Sequence, residues 1–138
     1  MDDDDAVLSL DDQSFKAFVV SLILARKTER AVELVSKKHR VKAPTLSIGH
    51  TKGKKIALAV YSVAANTISF SDQDQFFAPF VVLHEMYHCI RSRSGNHRGT
   101  EKNADRFALD YIEEYNKRAK QIEAALDIQK LTHGTRVD

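Results

Sequence analysis

Scarcity narrows the reading of this 138-residue chain before any motif is sought. A single cysteine, Cys89, excludes an internal disulfide and any multi-cysteine metal cluster. Tryptophan is absent, proline occurs twice and glycine five times, far from the composition of a Pro/Gly-rich low-complexity chain. No apolar stretch approaches the ~18 residues of a membrane span; the longest lies near Phe76–Leu83. What remains is an ordinary globular mixture, 43% hydrophobic and 29% charged. The length suits one domain, with a core that needs no disulfide staples. Met1–Asp5 is the opposite of a basic signal-peptide lead. A cytoplasmic protein with no membrane partner is therefore expected.

Charge is unevenly spread. The formal net charge is +2, yet six of the 19 acids, Asp2–Asp5, Asp11 and Asp12, fall in the first twelve residues. Between Leu34 and Ser71 there is no acid, while Lys37, Lys38, Arg40, Lys42, Lys52, Lys54 and Lys55 are all basic. One reading of this 37–55 segment is a solvated face. The other is a docking surface for nucleic acid, an acidic partner or the chain's own Asp-rich lead. Aromatic residues do not alternate with its lysines, as a single-strand stacking platform requires.

Periodicity predicts an α+β domain. Residues 1–9 read as a disordered acidic lead-in, 10–126 as the single domain and 127–138 as a C-terminal tail able to cover a cleft. Ser9 offers an N-cap with Asp12 three residues on. Phe15, Phe18, Val19, Leu22, Ile23, Val32 and Val35 then recur at helical spacing, giving a helix over about 10–37 with an interruption near Lys27–Thr28. Three short strands follow: Leu46–Ile48, Ile56–Tyr61 and Thr67–Phe70, the second expected to be the more central. The turns at Thr51–Lys54 and Ala64–Asn66 suggest a mostly antiparallel meander. Pro79 belongs in the first turn of a helix that runs to about Arg93. Thr100 caps a last helix whose apolar stripe reads Ala104, Phe107, Ala108, Tyr111, Ile112, Tyr115, Ile122 and Leu126.

Within the Pro79 helix stands His84-Glu85-Met86-Tyr87-His88, an H-E-x-x-H motif. Residues four apart share a helix face, so His84 and His88 can turn imidazole nitrogens toward one ion. Glu85 is rotated about 100° from His84 and lies beside that point. A catalytic zinc site needs a third protein ligand and an open position. Glu101 opens the last helix thirteen residues after His88, and Asp105 follows one turn later on the same face. Glu101 can ligate, while Asp105 can accept the second N–H of a ligand histidine. His97, nine residues past His88, is an alternative third ligand.

His84-Glu85-x-x-His88 followed by Glu101-x-x-x-Asp105 resembles the gluzincin metallopeptidases. The small size and element order (N-terminal helix, three-stranded sheet, active-site helix, C-terminal glutamate helix) are most similar to the minimal members called minigluzincins. The element order covers about 10–126 and the specific motifs only 84–105. The resemblance implies a zincin-like fold with zinc on His84, His88 and Glu101, Glu85 as general base and acid, and Asp105 in support. It implies hydrolysis of peptide bonds in a protein or peptide substrate, with Thr67–Phe70 as the strand at the cleft rim. Latency or an oligomer is compatible with it.

Other zinc families fit less well. Arg91 and Ser94 stand where a metzincin has glycine and histidine, and one cysteine excludes the nucleic-acid deaminases. An oxyanion stabiliser is open among Tyr61, Tyr87, Tyr111 and His97, with Tyr87 and Tyr111 reading rather as core. Cys89 reads as a small buried residue, and His39, His50 and His133 as isolated surface groups. Two further functions stand beside the peptidase: a non-catalytic binding module working through the basic segment, and a regulatory peptidase that cleaves a DNA-bound protein.

Overall fold

The computed structural model describes residues 3–49, 57–95 and 97–134. In chain order these form α1 (Asp3–Leu8), α2 (Asp12–Leu24), α3 (Thr28–Lys38), β1 (Thr45–Ile48), β2 (Ala59–Ser62), β3 (Thr67–Phe70), α4 (Gln73–Phe76), α5 (Pro79–Arg93) and α6 (Glu101–Gly134). The α+β class is as read. The Thr51–Lys54 turn and the start of the expected second strand lie outside the described residues.

The first helical region departs from expectation at its start. Residues 3–8 form a helix rather than a disordered lead-in. Asp4 explains it: its carboxylate pairs with Arg30 at 2.8 Å and Lys37 at 2.7 Å, tying α1 to α3. The cap of α2 is Asp11, not Ser9; its side chain accepts from the Ser14 N–H at 2.8 Å. The interruption falls as read, with Arg26 at φ 65° between α2 and α3. There the buried Thr28 hydroxyl donates to the Phe76 carbonyl at 2.8 Å, which fixes α3 against the end of α4.

The sheet is mixed, with order β1-β3-β2. β3 is central, pairing in parallel with β1 (Leu46 with Ile68) and antiparallel with β2 (Tyr61 with Ile68). The expected meander is thus corrected at one pairing: only β2–β3 is a hairpin. Its turn places Asn66 at φ 47°, a conformation asparagine tolerates better than most residues. The Asn66 amide then donates to the Ala43 carbonyl at 3.3 Å, and its Oδ1 accepts from the Tyr61 hydroxyl at 2.8 Å. One side chain so joins the hairpin to the chain entering β1.

Ile68, Phe70 and Tyr61 turn inward onto a core that includes Phe15, Val19, Ile23, Leu34, Leu83 and Met86. α5 crosses this core between β2 and α6, and α6 also packs on α2. The inner stripe of α6 is shorter than its sequence suggests. Ala104, Ala108 and Tyr111 are buried, but Ile122 and Leu126 are 61% and 51% exposed. Residues 127–134 continue the helix, and the rest of the expected 127–138 tail lies outside the described residues. No helix among the described residues is long and apolar enough to cross a membrane.

Candidate metal centre and active site

Local rules deliver the site's two helices in register. Pro79 occupies the first turn of α5, where a missing N–H costs least. Val81, Val82, Leu83, Met86 and Cys89 anchor α5 in the core, leaving His84 and His88 on one remaining face. At α6 the Thr100 hydroxyl accepts from the Asn103 N–H at 3.1 Å, a sequence-legible cap that starts the helix at Glu101.

These two starts bring His84, His88 and Glu101 together, with one ligand atom from each lying within 4.8 Å of the others. Glu101 Oε2 is 2.5 Å from His84 Nε2, and Oε1 is 3.2 Å from His88 Nε2. Asp105, one turn along α6, sets its Oδ1 2.8 Å from His84 Nδ1. His88 Nδ1 lies 2.8 Å from the Arg98 carbonyl oxygen. A carbonyl only accepts, so His88 carries its proton on Nδ1 and turns the Nε2 lone pair inward. That Nε2 is buried and makes no hydrogen bond, despite its proximity to Glu101. The same argument at Asp105 puts a His84 proton on Nδ1. Three potential ligand atoms then converge with acceptors behind both imidazoles, and His84 Nε2 and Glu101 Oε2 stand at hydrogen-bond distance, 2.5 Å. Such a group repels itself unless a cation or an extra proton sits among its members. Two imidazole nitrogens and a carboxylate are also a donor set that suits zinc.

Glu85 stays out of that group. It is 7% exposed; Oε1 accepts from the Tyr61 N–H at 2.9 Å, and Oε2 lies 3.8 Å from His84 Nε2. Burial pushes its pKa up to about 7, with the Glu101 charge adding and His84 and the Tyr61 amide pulling back. A carboxyl poised near neutrality can both take and return a proton.

The cleft beside these groups encloses about 470 Å³, the scale of a small-ligand site. Its walls are residues 57–61, Phe80, Val81 and Arg98. The strand at the rim is β2, not the expected Thr67–Phe70. β3 is covered on both sides, whereas β2 is an edge among the described residues. Leu58 O accepts from Ser71 N on the β3 side, and the Tyr61 N–H points the other way, to Glu85. By strand alternation the main chain of Ala59 also faces outward, toward the cleft.

The remaining candidates fall elsewhere. His97 is exposed, its Nδ1 accepting from the Gly99 N–H at 3.3 Å, and it stands outside the three-atom group. The Tyr61 hydroxyl serves Asn66, Tyr111 is core, and Tyr87 stacks on His88 and Phe107. Cys89 is buried. Two residues escaped the sequence reading: Arg98, which supplies a carbonyl to His88 and a guanidinium to the cleft, and Gly99, at φ 81° under the Tyr87 ring. Gly99 had a visible signal, since it directly precedes a helix cap; Arg98 had none. Of the basic segment, Lys37 is engaged by Asp4, and Lys52, Lys54 and Lys55 lie outside the described residues.

Comparison with protein-family models, with curated proteins and with solved structures gives no match.

Proposed function

We propose that the protein is a zinc-dependent peptidase of the cytoplasm, with His84, His88 and Glu101 as ligands, Asp105 holding His84, and Glu85 as general base and acid. The observation that carries this reading is the convergence of three potential ligand atoms whose two imidazoles are each backed by an acceptor. A zinc ion bound there would lower the pKa of water from 15.7 to roughly 7 and polarise a carbonyl.

The chain's own residues supply the rest. A substrate strand lies along the outer edge of β2. Glu85 takes the proton of the attacking water as its oxygen bonds to the scissile carbonyl carbon, and the C=O π pair moves onto the carbonyl oxygen. As that pair returns and the C–N bond breaks, Glu85 hands the proton to the leaving nitrogen. A carboxylic acid and an amine result. The Tyr61 N–H orients the Glu85 carboxylate through both transfers.

Two measurements test the reading. Purified protein binds about one zinc per chain, and His84→Ala or His88→Ala loses it. Glu85→Gln retains zinc and abolishes cleavage of an unfolded protein substrate. Cleavage at the wild-type rate in that variant would sink the assignment. Glu85 has a structural contact with the Tyr61 N–H, but a purely structural metal site gives no use to its second oxygen beside His84, so the non-catalytic module is the weaker reading. Cleavage of a DNA-bound regulator is a narrower form of the same activity.

A further inference from the structure

Among the described residues, an oxyanion formed in this cleft meets no free tyrosine or histidine. Tyr61, Tyr87 and Tyr111 are committed to Asn66, to the α5–α6 packing and to the core, and His97 stands apart. Among the described residues, the one cationic side chain that lines the cleft beside the three-atom group is Arg98. Its Nη2 lies 3.7 Å from Glu101 Oε1, one ligand atom away from the point where the two histidine Nε2 atoms converge. Its side chain is 45% exposed, and its guanidinium makes no hydrogen bond among the described residues. A fork of five donors is therefore presented to the cleft with one loose ion pair.

The same residue is anchored at its main chain. The Arg98 carbonyl holds His88 Nδ1 at 2.8 Å, and the next residue, Gly99, is packed under Tyr87. The base of the side chain is thus fixed relative to a proposed metal ligand, as preorganised electrostatic stabilisation requires.

We propose that Arg98 is a catalytic residue of the peptidase suggested above: its guanidinium donates to the oxyanion that develops on the scissile carbonyl. This rests on the peptidase reading. It assigns Arg98 the charge stabilisation, leaving proton transfer to Glu85. Removing one such donor typically costs about 10²–10³ in kcat.

The test uses full-length, zinc-loaded protein and calorimetric titration with a phosphinic peptide, whose charged tetrahedral phosphorus mimics the transition state. Arg98→Gln weakens phosphinate binding by about 10²-fold while zinc affinity holds, because the carbonyl that supports His88 is main chain. Arg98→Lys recovers part of the loss, and in turnover assays the Gln variant lowers kcat with little change in KM. Equal phosphinate affinity in wild type and Arg98→Gln overturns the proposal and leaves the peptidase reading standing. Loss of zinc from Arg98→Gln also overturns it, marking the side chain as a structural support. Failure of zinc-loaded wild type to bind the phosphinate overturns the peptidase reading, and this inference with it.

Discussion

Replacing Gly99 with alanine tests the loop that ties the two site helices together. Gly99 has φ 81°, a left-handed conformation. A residue with a Cβ loses about 1–2 kcal/mol there. The added methyl also has no room: an ideal Cβ falls 2.7 Å from Tyr87 Oη and 2.9 Å from its Cζ. The ring cannot simply swing aside, because it packs on His88 and Phe107 with centroids 5.7 and 5.8 Å away. Overpacking of this kind adds about 1–3 kcal/mol, for a total of about 2–5 kcal/mol. Relief comes by shifting the loop, which moves the Arg98 carbonyl away from His88 Nδ1. Disturbed supports of a ligand histidine weaken metal binding by about 10–100-fold. Two assays separate the parts: denaturant unfolding of metal-free protein, and zinc competition against a chromophoric chelator. A double-mutant cycle with Tyr87→Ala should show coupling of about 1–3 kcal/mol, since removing the ring clears the clash but leaves the φ strain. Wild-type stability and zinc affinity in Gly99→Ala would refute the account of the loop.

Other outcomes follow from single contacts. Asp105→Ala should weaken zinc by about 10–100-fold, while Glu85→Gln leaves it unchanged; equal zinc affinity in Asp105→Ala and wild type would remove Asp105 from the site. Thr28→Val leaves the Phe76 carbonyl without its buried donor and should cost about 1–3 kcal/mol by chemical denaturation. The Asp4 carboxyl is held below its ordinary 3.8, chiefly by the Lys37 hydrogen bond and also by Arg30, against a desolvation penalty. A lowered acid pKa stabilises the fold above the unfolded value and loses that contribution as pH falls through the folded one. Asp4→Asn should therefore lower the thermal midpoint at pH 7, with the gap to wild type closing below 3.8. A gap that persists in strong acid would mean the variant acts by another route.

Legibility in the sequence followed the range of the interactions. Pro79 at the start of α5, Thr100 at the start of α6 and the i, i+4 pairing of His84 with His88 are local rules, and each was readable from neighbouring residues. Glu101 and Asp105 were also readable, because a short linker returns α6 onto α5. The strand order was not: β1 pairs with β3 across a connection of 18 residues between Ile48 and Thr67, with β2 lying inside it, and no turn residue announces a parallel partner. That error displaced the cleft rim from β2 to Thr67–Phe70. The acidic start looked like a solvated lead because its partners, Arg30 and Lys37, lie 26 and 33 residues away. On α6, Ile122 and Leu126 kept the helical period of a core stripe after the helix had passed beyond the rest of the domain.

The two histidines differ in what heredity can take from them. His84 leans on the carboxylate of Asp105, so one codon change deletes its support. His88 leans on the main chain of Arg98, and no substitution deletes a backbone carbonyl. Its support is encoded in the length and curvature of the linker between α5 and α6. The two histidines therefore present unlike mutational targets, a single side chain for one and the backbone path of a segment for the other. Loss of the carboxylate at 105 removes one support, whereas the other yields only to changes that shift the backbone between 94 and 100, an insertion, a deletion or a substitution such as Gly99→Ala.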